Sequence, residues 1–272
     1  MKVVSWEEYL AGALVDLPFA ATIGVFDGLH IGHRALVARV LAHEALASAV
    51  LTFRENPKRI LSPHTHRGEL STLDQKLGLI ESLSVDFCVL IDFSGDFSKL
   101  PGRSFLSILR DSGMLRFLAV GEDFRCGRGL DTAAADIGAF CEESSIGIEL
   151  VPALRWEGPA VSSSRIRKAV TEGRLDEAQA MLGRPYEIDL RAALPLPGGR
   201  LAPKGEQARP PTGRYEALLV LGSALRAVPV NARLGSDGVW TLAAEGEGRG
   251  SSPPADASTA EGLGLLKLVS RE

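Results

Sequence analysis

Between Pro18 and Ile91 the chain alternates short apolar runs with amphipathic ones, the rhythm expected when strands buried on both faces of a parallel sheet are joined by helices. The spacing predicts strands over 19–26, 49–53 and 87–91, with helices over 34–46 and 74–83 between them. The pattern continues with helix 104–110, strand 117–121, helix 132–142, strand 147–151 and two helices over 164–170 and 175–182. This is an α/β pattern of roughly five strands. In such sheets ligands bind beyond the carboxyl ends of the strands, so the residues following each strand are the candidates for chemistry.

The rhythm breaks at Gly183-Arg184-Pro185-Tyr186, and residues 195–213 then hold five prolines and four glycines, which reads as a linker. Beyond it, 214–221, 226–233, 238–243 and 265–269 read as short strands, with Ser236-Asp237-Gly238 as a turn. The expected organisation is an α/β domain over 1–186 and a small β-rich domain over 187–272. Residues 245–262 contain no Val, Ile, Leu or aromatic side chain, and the expectation there is a flexible loop. No repeat of solenoid type is present.

Composition narrows the function. A net charge of −4 with 45% hydrophobic and 24% charged residues excludes a highly charged disordered chain and gives no global basic footprint for nucleic acid. No apolar run is long enough for a membrane span, and Glu7 and Glu8 fall where a signal peptide needs an apolar stretch, so a soluble cytoplasmic protein is expected. Cys88, Cys126 and Cys141 are widely spaced and read as reduced thiols. None of the five histidines lies in a zinc motif, which disfavours catalytic zinc.

Four segments carry candidate chemistry. Gly24-Val25-Phe26-Asp27-Gly28-Leu29-His30-Ile31-Gly32-His33 runs from a strand end through a glycine turn into a helix, and two imidazoles beside free helix N–H groups suit phosphate. The alternative is a tight turn whose histidines cap or pack. Ser162-Ser163-Ser164-Arg165-Ile166-Arg167-Lys168 opens another helix with hydroxyls and guanidinium groups suited to phosphate oxygens, or else is a serine cap followed by a solvated basic turn. Gly121 to Gly129 follows a strand and offers Asp123, Phe124 and two arginines for a planar ring and a phosphate, or is an ordinary connection. Thr52-Phe53-Arg54-Glu55-Asn56-Pro57 by itself reads as a loop. Together they suggest nucleotidyl transfer, which needs positioning and charge stabilisation rather than a protein nucleophile. Neither a Walker A sequence nor a G-x-G-x-x-G after the first strand is present, which disfavours P-loop kinases and NAD dehydrogenases.

At these residues the chain resembles the bacterial FAD synthetase family, the adenylyltransferase module of bifunctional riboflavin kinase/FAD synthetases, over residues 15 to 190. The resemblance rests on Gly24 to His33, Leu51-Thr52-Phe53 with Asn56-Pro57, Ser71-Thr72-Leu73 with Lys76, Gly121 to Gly129, Ser162 to Arg167, and Leu182 to Tyr186. It implies a Rossmann-like nucleotidyltransferase fold that converts FMN and ATP to FAD and pyrophosphate with Mg²⁺. Its partners would be these small molecules, with neither nucleic acid nor membrane involved. The resemblance makes His30, His33, Ser164 and Arg167 the catalytic set. Gly24, Phe26, Asp27, Gly28, Ser162 and Ser163 would bind ATP, with Ser163, Ser164 and Arg167 on the departing pyrophosphate. Thr52, Phe53, Asn56, Pro57, Asp123, Phe124 and Arg125 would hold the flavin, Asp123 also being a candidate Mg²⁺ ligand; otherwise Mg²⁺ arrives on the ATP phosphates.

Three departures from the family pattern stand out. Asn56 replaces a usual histidine before proline, and Ser164 a usual threonine. Downstream, Pro210-Pro211-Thr212-Gly213-Arg214-Tyr215 resembles a riboflavin kinase strand entry, but the G-F-P-T-A-N motif is missing. The expectation is a degenerate, barrel-like kinase domain without kinase activity. Two rival readings stay open: an adenylyltransferase for another phosphorylated acceptor such as nicotinamide mononucleotide, and a non-catalytic flavin- or nucleotide-binding module.

Overall fold

A computed structural model describes residues 1–65, 68–221, 226–244 and 263–271. The chain divides into two compact units, Met1–His66 with Lys76–Val161, and Arg67–Gln75 with Ser162–Glu272. This cut differs from the expected 1–186 and 187–272, because residues 175–182 pack on the C-terminal sheet and residues 163–171 pack on them.

The first unit contains β1 (Lys2–Ser5), α1 (Trp6–Leu10), β2 (Leu14–Ile23), α2 (Ile31–Leu41), β3 (Ala47–Phe53), α3 (Lys58–Leu61), most of α4 (Leu73–Glu81), β4 (Phe87–Ile91), α5 (Gly102–Asp111) and β5 (Gly113–Gly121). A two-residue ribbon, β6 (Arg125–Cys126) with β7 (Thr132–Ala133), then leads to α6 (Ala134–Glu143) and β8 (Gly147–Val151). Six strands form one sheet in the order β1-β4-β3-β2-β5-β8. Every pairing in it is parallel. The order reverses at β2, whose chain continues to β3 on one side while β5 adds on the other, so the crevice beyond the ends of β2 and β5 is the switch point where such sheets bind ligands.

Alternation along β2 explains its central place. Phe19, Ala21 and Ile23 face a core shared with Phe105, Leu109, Ile137 and Phe140 of α5 and α6. Ala20 joins Val40 of α2 and Ala119 of β5 in a second cluster. Both faces of the strand are therefore covered. β1 and α1, which the hydrophobic pattern did not reveal, are joined by a capping box: Ser5 Oγ accepts from Glu8 N at 3.1 Å, and Ser5 N donates to Glu8 Oε2 at 2.7 Å. The sheet thus has six strands, not five. β2 stops at Ile23 rather than at 26, because Phe26 takes a left-handed backbone with φ of 50°. α2 starts at Ile31, ahead of the expected 34, because His30 caps it.

The second unit contains α7 (Ser163–Thr171), α8 (Leu175–Leu182), β9 (Tyr186–Asp189), β10 (Leu194–Leu196), β11 (Arg200–Ala202), β12 (Gly213–Leu221), β13 (Arg226–Leu234), β14 (Trp240–Ala244) and β15 (Leu263–Arg271). Its seven strands form a curled antiparallel half-barrel in the order β10-β11-β14-β13-β12-β15-β9. Along β12 the buried residues Tyr215, Ala217 and Leu219 alternate with more exposed ones, as expected of a strand with one face in a core. Tyr215 packs on Trp240 with ring centroids 5.7 Å apart. The expected turn at 236–238 joins β13 to β14, with Gly235 N donating to Val239 O at 2.9 Å. Two expectations are corrected: the 195–213 linker contains β10 and β11, and the break at 183–186 ends in β9, whose Tyr186 is buried. The loop expected over 245–262 lies outside the described residues.

Candidate active site

Beyond β2 the chain makes a turn held from inside. Gly24 N donates to Leu51 O at 3.1 Å, and a Cβ on Gly24 would stand 3.2 Å from the Phe26 ring, so that position admits little more than glycine. Phe26 is fully buried and strained for a bulky residue, a feature that persists only where packing enforces it. Asp27–Leu29 forms a single tight turn in which Gly28 supplies φ of 76°, and Asp27 is 2% exposed.

His30 then caps α2: its Nδ1 accepts from His33 N at 3.3 Å. An accepting Nδ1 leaves Nε2 of the neutral ring as its N–H donor. The two imidazoles stack with centroids 3.6 Å apart and planes 16° from parallel, and Phe26 meets His33 edge-on at 5.0 Å. His33 Nδ1 is buried without a hydrogen-bond partner among the described residues. Burial above all, then the electrostatic influence of the neighbouring His30 and of the Lys76 ammonium, holds His33 well below the ordinary histidine range, so it is neutral at pH 7. The histidines therefore cap and pack as the plainer reading proposed, and in doing so become a preorganised pair of neutral rings.

A cavity of about 390 Å³ opens beyond the same strand ends, well within the range of small-molecule sites. Of the residues expected to hold a flavin, Phe53, Asn56, Pro57, Phe124 and Arg125 line it. Thr52 and Asp123 do not line it. Thr52 is fully buried and its hydroxyl donates to Val25 O at 3.0 Å, a structural role, whereas Asp123 is exposed beyond β5. Asn56 is 5% exposed and its Oδ1 accepts from Lys58 N at 3.1 Å, so the residue opens α3 as well as facing the cavity.

The rest of the wall escaped the sequence reading. Phe93, Phe97 and Phe105 join Phe53 around the cavity, with Phe53 and Phe93 edge-to-face at 5.7 Å and Phe93 and Phe97 at 5.6 Å. Phe93 lies two residues past β4, so its place after a strand end was a usable signal. Phe105 fell inside the expected helix 104–110 and Phe97 between expected elements, and neither was singled out. Cys126 also lines the cavity, where burial and the Asp131 carboxylate push its thiol up to about 12, leaving it protonated and unreactive. Lys76, part of the family pattern in the sequence, was given no role there. It is 2% exposed, and its Nζ donates to Phe53 O at 2.6 Å and to Val25 O at 3.5 Å.

In the second unit Ser162 caps α7, its Oγ accepting from Arg165 N at 3.3 Å. Ser163 and Ser164 are the first two helical residues. Arg167 Nε donates to Gly68 O at 2.7 Å, and Gly68, with φ of 78°, lies so close to Glu206 O that a Cβ would stand 2.5 Å from it. Ser162 is thus the helix cap of the plainer alternative, and Arg167 ties α7 to the segment before α4. Among the described residues no group of three or more His, Cys, Asp or Glu side chains could hold a metal ion. The donors present fit a magnesium ion that arrives on triphosphate oxygens, with Asp123 able to supply at most one ligand. The three cysteines are unbridged, and no helix among the described residues is long and apolar enough to cross a membrane.

Comparison with known proteins adds a family to this geometry. The fold resembles a crystal structure described as a macrolide-efflux protein from Streptococcus pneumoniae, with a TM-score of 0.79, 19% identity, and coverage of 100% of this chain and 91% of that one. A bifunctional riboflavin kinase/FMN adenylyltransferase of Escherichia coli K12 is 30% identical over 227 residues, 79% of this chain and 72% of that protein. One of the same description from Listeria monocytogenes is 28% identical over 175 residues; the match spans 63% of this chain and 55% of that relative's length. An FAD synthetase from Listeria monocytogenes is 25% identical over 72% of this chain and 79% of its own. The FAD synthetase family model matches residues 15–165, which take in the histidine turn, the aromatic cavity and the start of α7, and the chain belongs to that family.

Proposed function

We propose that the protein is an FMN adenylyltransferase, an FAD synthetase that transfers AMP from ATP to FMN. The observation that carries this is a pair of stacked imidazoles at the start of α2, at the far end of the turn that leaves β2 at Ile23 and Val25, two residues that line a 390 Å³ aromatic cavity. A flavin ring system needs such a cavity, and edge-to-face phenylalanines suit a flat aromatic guest. An oxygen of the FMN phosphate attacks the α-phosphorus of ATP; that P–O bond forms as the bond to the β-phosphate oxygen breaks, and pyrophosphate leaves. Charge grows on the transferring and departing oxygens, where preorganised donors act most strongly.

In this reading His30 and His33 donate to the phosphates as neutral rings. Gly24, Phe26, Asp27 and Gly28 shape the phosphate turn, with Gly28 letting main chain approach. Ser162, Ser163, Ser164 and Arg167, which lie in the second unit, keep the pyrophosphate role only as what the family resemblance implies. Phe53, Asn56, Pro57, Phe124 and Arg125 hold the flavin, with Thr52 bracing the loop behind them, and the Asp123 carboxylate would be available as a ligand to Mg²⁺. Mg²⁺ carried by ATP supplies charge neutralisation on the triphosphate. The absent G-F-P-T-A-N motif supports a second part of the proposal, that the half-barrel has no riboflavin kinase activity. We place the enzyme in the cytoplasm, in keeping with its unbridged cysteines.

The test is chromatographic separation of flavins after incubation with ATP and Mg²⁺, with FMN or riboflavin supplied in parallel. FAD from FMN with riboflavin unchanged is expected. FMN formed from riboflavin would refute the loss of kinase activity, and no FAD from FMN would overturn the adenylyltransferase reading.

A further inference from the structure

Lys76 is an expensive residue to bury: at 2% exposure its ammonium has lost its water, and a lysine in that position persists only where specific partners hold it. Two of those partners are main-chain carbonyls at the carboxyl ends of neighbouring strands. Phe53, whose carbonyl accepts at 2.6 Å, closes β3 and puts its ring in the aromatic cavity wall. Val25, whose carbonyl accepts at 3.5 Å and also takes the Thr52 hydroxyl at 3.0 Å, lines the same cavity and precedes Phe26, the ring that meets His33.

We propose that Lys76 is a positioning residue for adenylyl transfer, its ammonium pinning the Val25 turn to the end of β3 so that the histidine pair and the aromatic cavity keep one spacing. This rests on the adenylyltransferase reading. In-line transfer is sensitive to such spacing, because a displacement of about 1 Å can cost on the order of 10² in rate. The same ammonium also acts on His33. The groups that act on that imidazole are His30 from the cap of α2 and Lys76 from α4, with the buried Asp27 in the same turn, and the lysine's charge favours the neutral ring. Lys76 therefore contributes a tether and a charge, and two substitutions separate them. Lys76→Gln removes the charge and keeps a donor for Phe53 O; Lys76→Met removes both.

The experiment measures kcat and KM for FMN against pH in the full chain, and titrates the histidine ring protons by NMR without substrates. We expect both variants to raise the His33 midpoint by about half a pH unit or more and to carry the acid limb of kcat up with it. Lys76→Met should lose about tenfold more kcat than Lys76→Gln, because it also releases the tether. Equal kcat in Lys76→Met and Lys76→Gln would overturn the tether, and variants that melt at lower temperature while kcat, the His33 midpoint and the acid limb stay at wild-type values would leave Lys76 a structural residue. Should Lys76→Met fail to fold, Lys76→Leu serves as the variant without a donor, compared with Lys76→Gln. A wild-type chain that makes no FAD would sink the adenylyltransferase reading alone, since the substrate-free titration still reports whether Lys76 sets the state of His33.

Discussion

His33 carries the sharpest expectations attached to a single side chain. If its N–H stabilises charge that grows during transfer, His33→Ala lowers kcat by about 10² or more while FMN affinity stays nearly unchanged. Turnover like wild type in steady-state assays would remove His33 from the mechanism. The same residue makes the protein sensitive to acid. Its pKa is lower folded than unfolded, so below the unfolded value of 6.5 the unfolded chain binds the extra proton and stability falls with pH. Asp189 adds to this further down: burial raises its pKa, but hydrogen bonds from Arg191 and Thr72 outweigh that and hold it below 3.8, so its contribution is lost as pH falls through that region. Melting curves between pH 7.5 and 5, a range chosen about the histidine value, should show a decline that His33→Gln flattens. Both histidines stood out in the sequence from their motif. That His30 uses Nδ1 to cap α2, and that His33 is neutral, depends on stacking and burial that no local pattern encodes.

Elements past the ends of β3, β4 and β5 build the cavity, and they differ in how openly the sequence declares them. Asn56-Pro57 announces a turn, and the structure makes it the start of α3. Removing the Asn56 carboxamide with Asn56→Ala should cost about 1 kcal/mol of stability, the usual loss for a local side-chain cap, read as a lower denaturant midpoint at constant slope. The aromatic wall is less legible, because Phe105 sits inside a helix and Phe97 in the connection before it, and only the folding of these segments onto Phe53 brings them to the cavity. Phe97→Ala is expected to weaken FMN binding by about tenfold, on the order of 1.4 kcal/mol, without raising the KM for ATP. Equilibrium titration with FMN followed by flavin fluorescence measures the first, and an unchanged dissociation constant would remove Phe97 from the flavin site.

Across the chain, the second unit is stitched from residues far apart in sequence. Thr72 Oγ1 donates to Asp189 Oδ2 at 2.7 Å, and Gln75 Nε2 donates to Glu187 O at 3.2 Å. Gln207 Nε2 donates to Gln75 Oε1 at 2.9 Å. These groups are buried, so a polar atom stripped of its partner costs about 1–3 kcal/mol. We therefore propose the domain 1–186 as a unit of chemistry rather than of independent stability. A chain ending at residue 186 should melt several degrees below the full protein, about 2–4 °C for each kcal/mol lost, and calorimetry of the two forms decides it. Equal melting temperatures would show that these buried bonds contribute nothing.

Alternating apolar runs were enough to declare the parallel α/β unit, because a strand covered on both faces must be apolar along its length, and β4, β8 and α8 fall where that pattern predicts. Glycine and histidine spacing likewise marked the turn after β2, since few residue types satisfy its backbone and its chemistry together. β10 and β11 were hidden among prolines and glycines because strands of three residues, β10 at the edge of the sheet and β11 beside it, need only pairing partners, not a periodicity of their own. The role of Lys76, a residue the family pattern did mark, and the phenylalanine wall were hidden for a related reason. Their roles are set by what packs beside them across gaps of some twenty to fifty residues, a relation that exists only once the chain has folded.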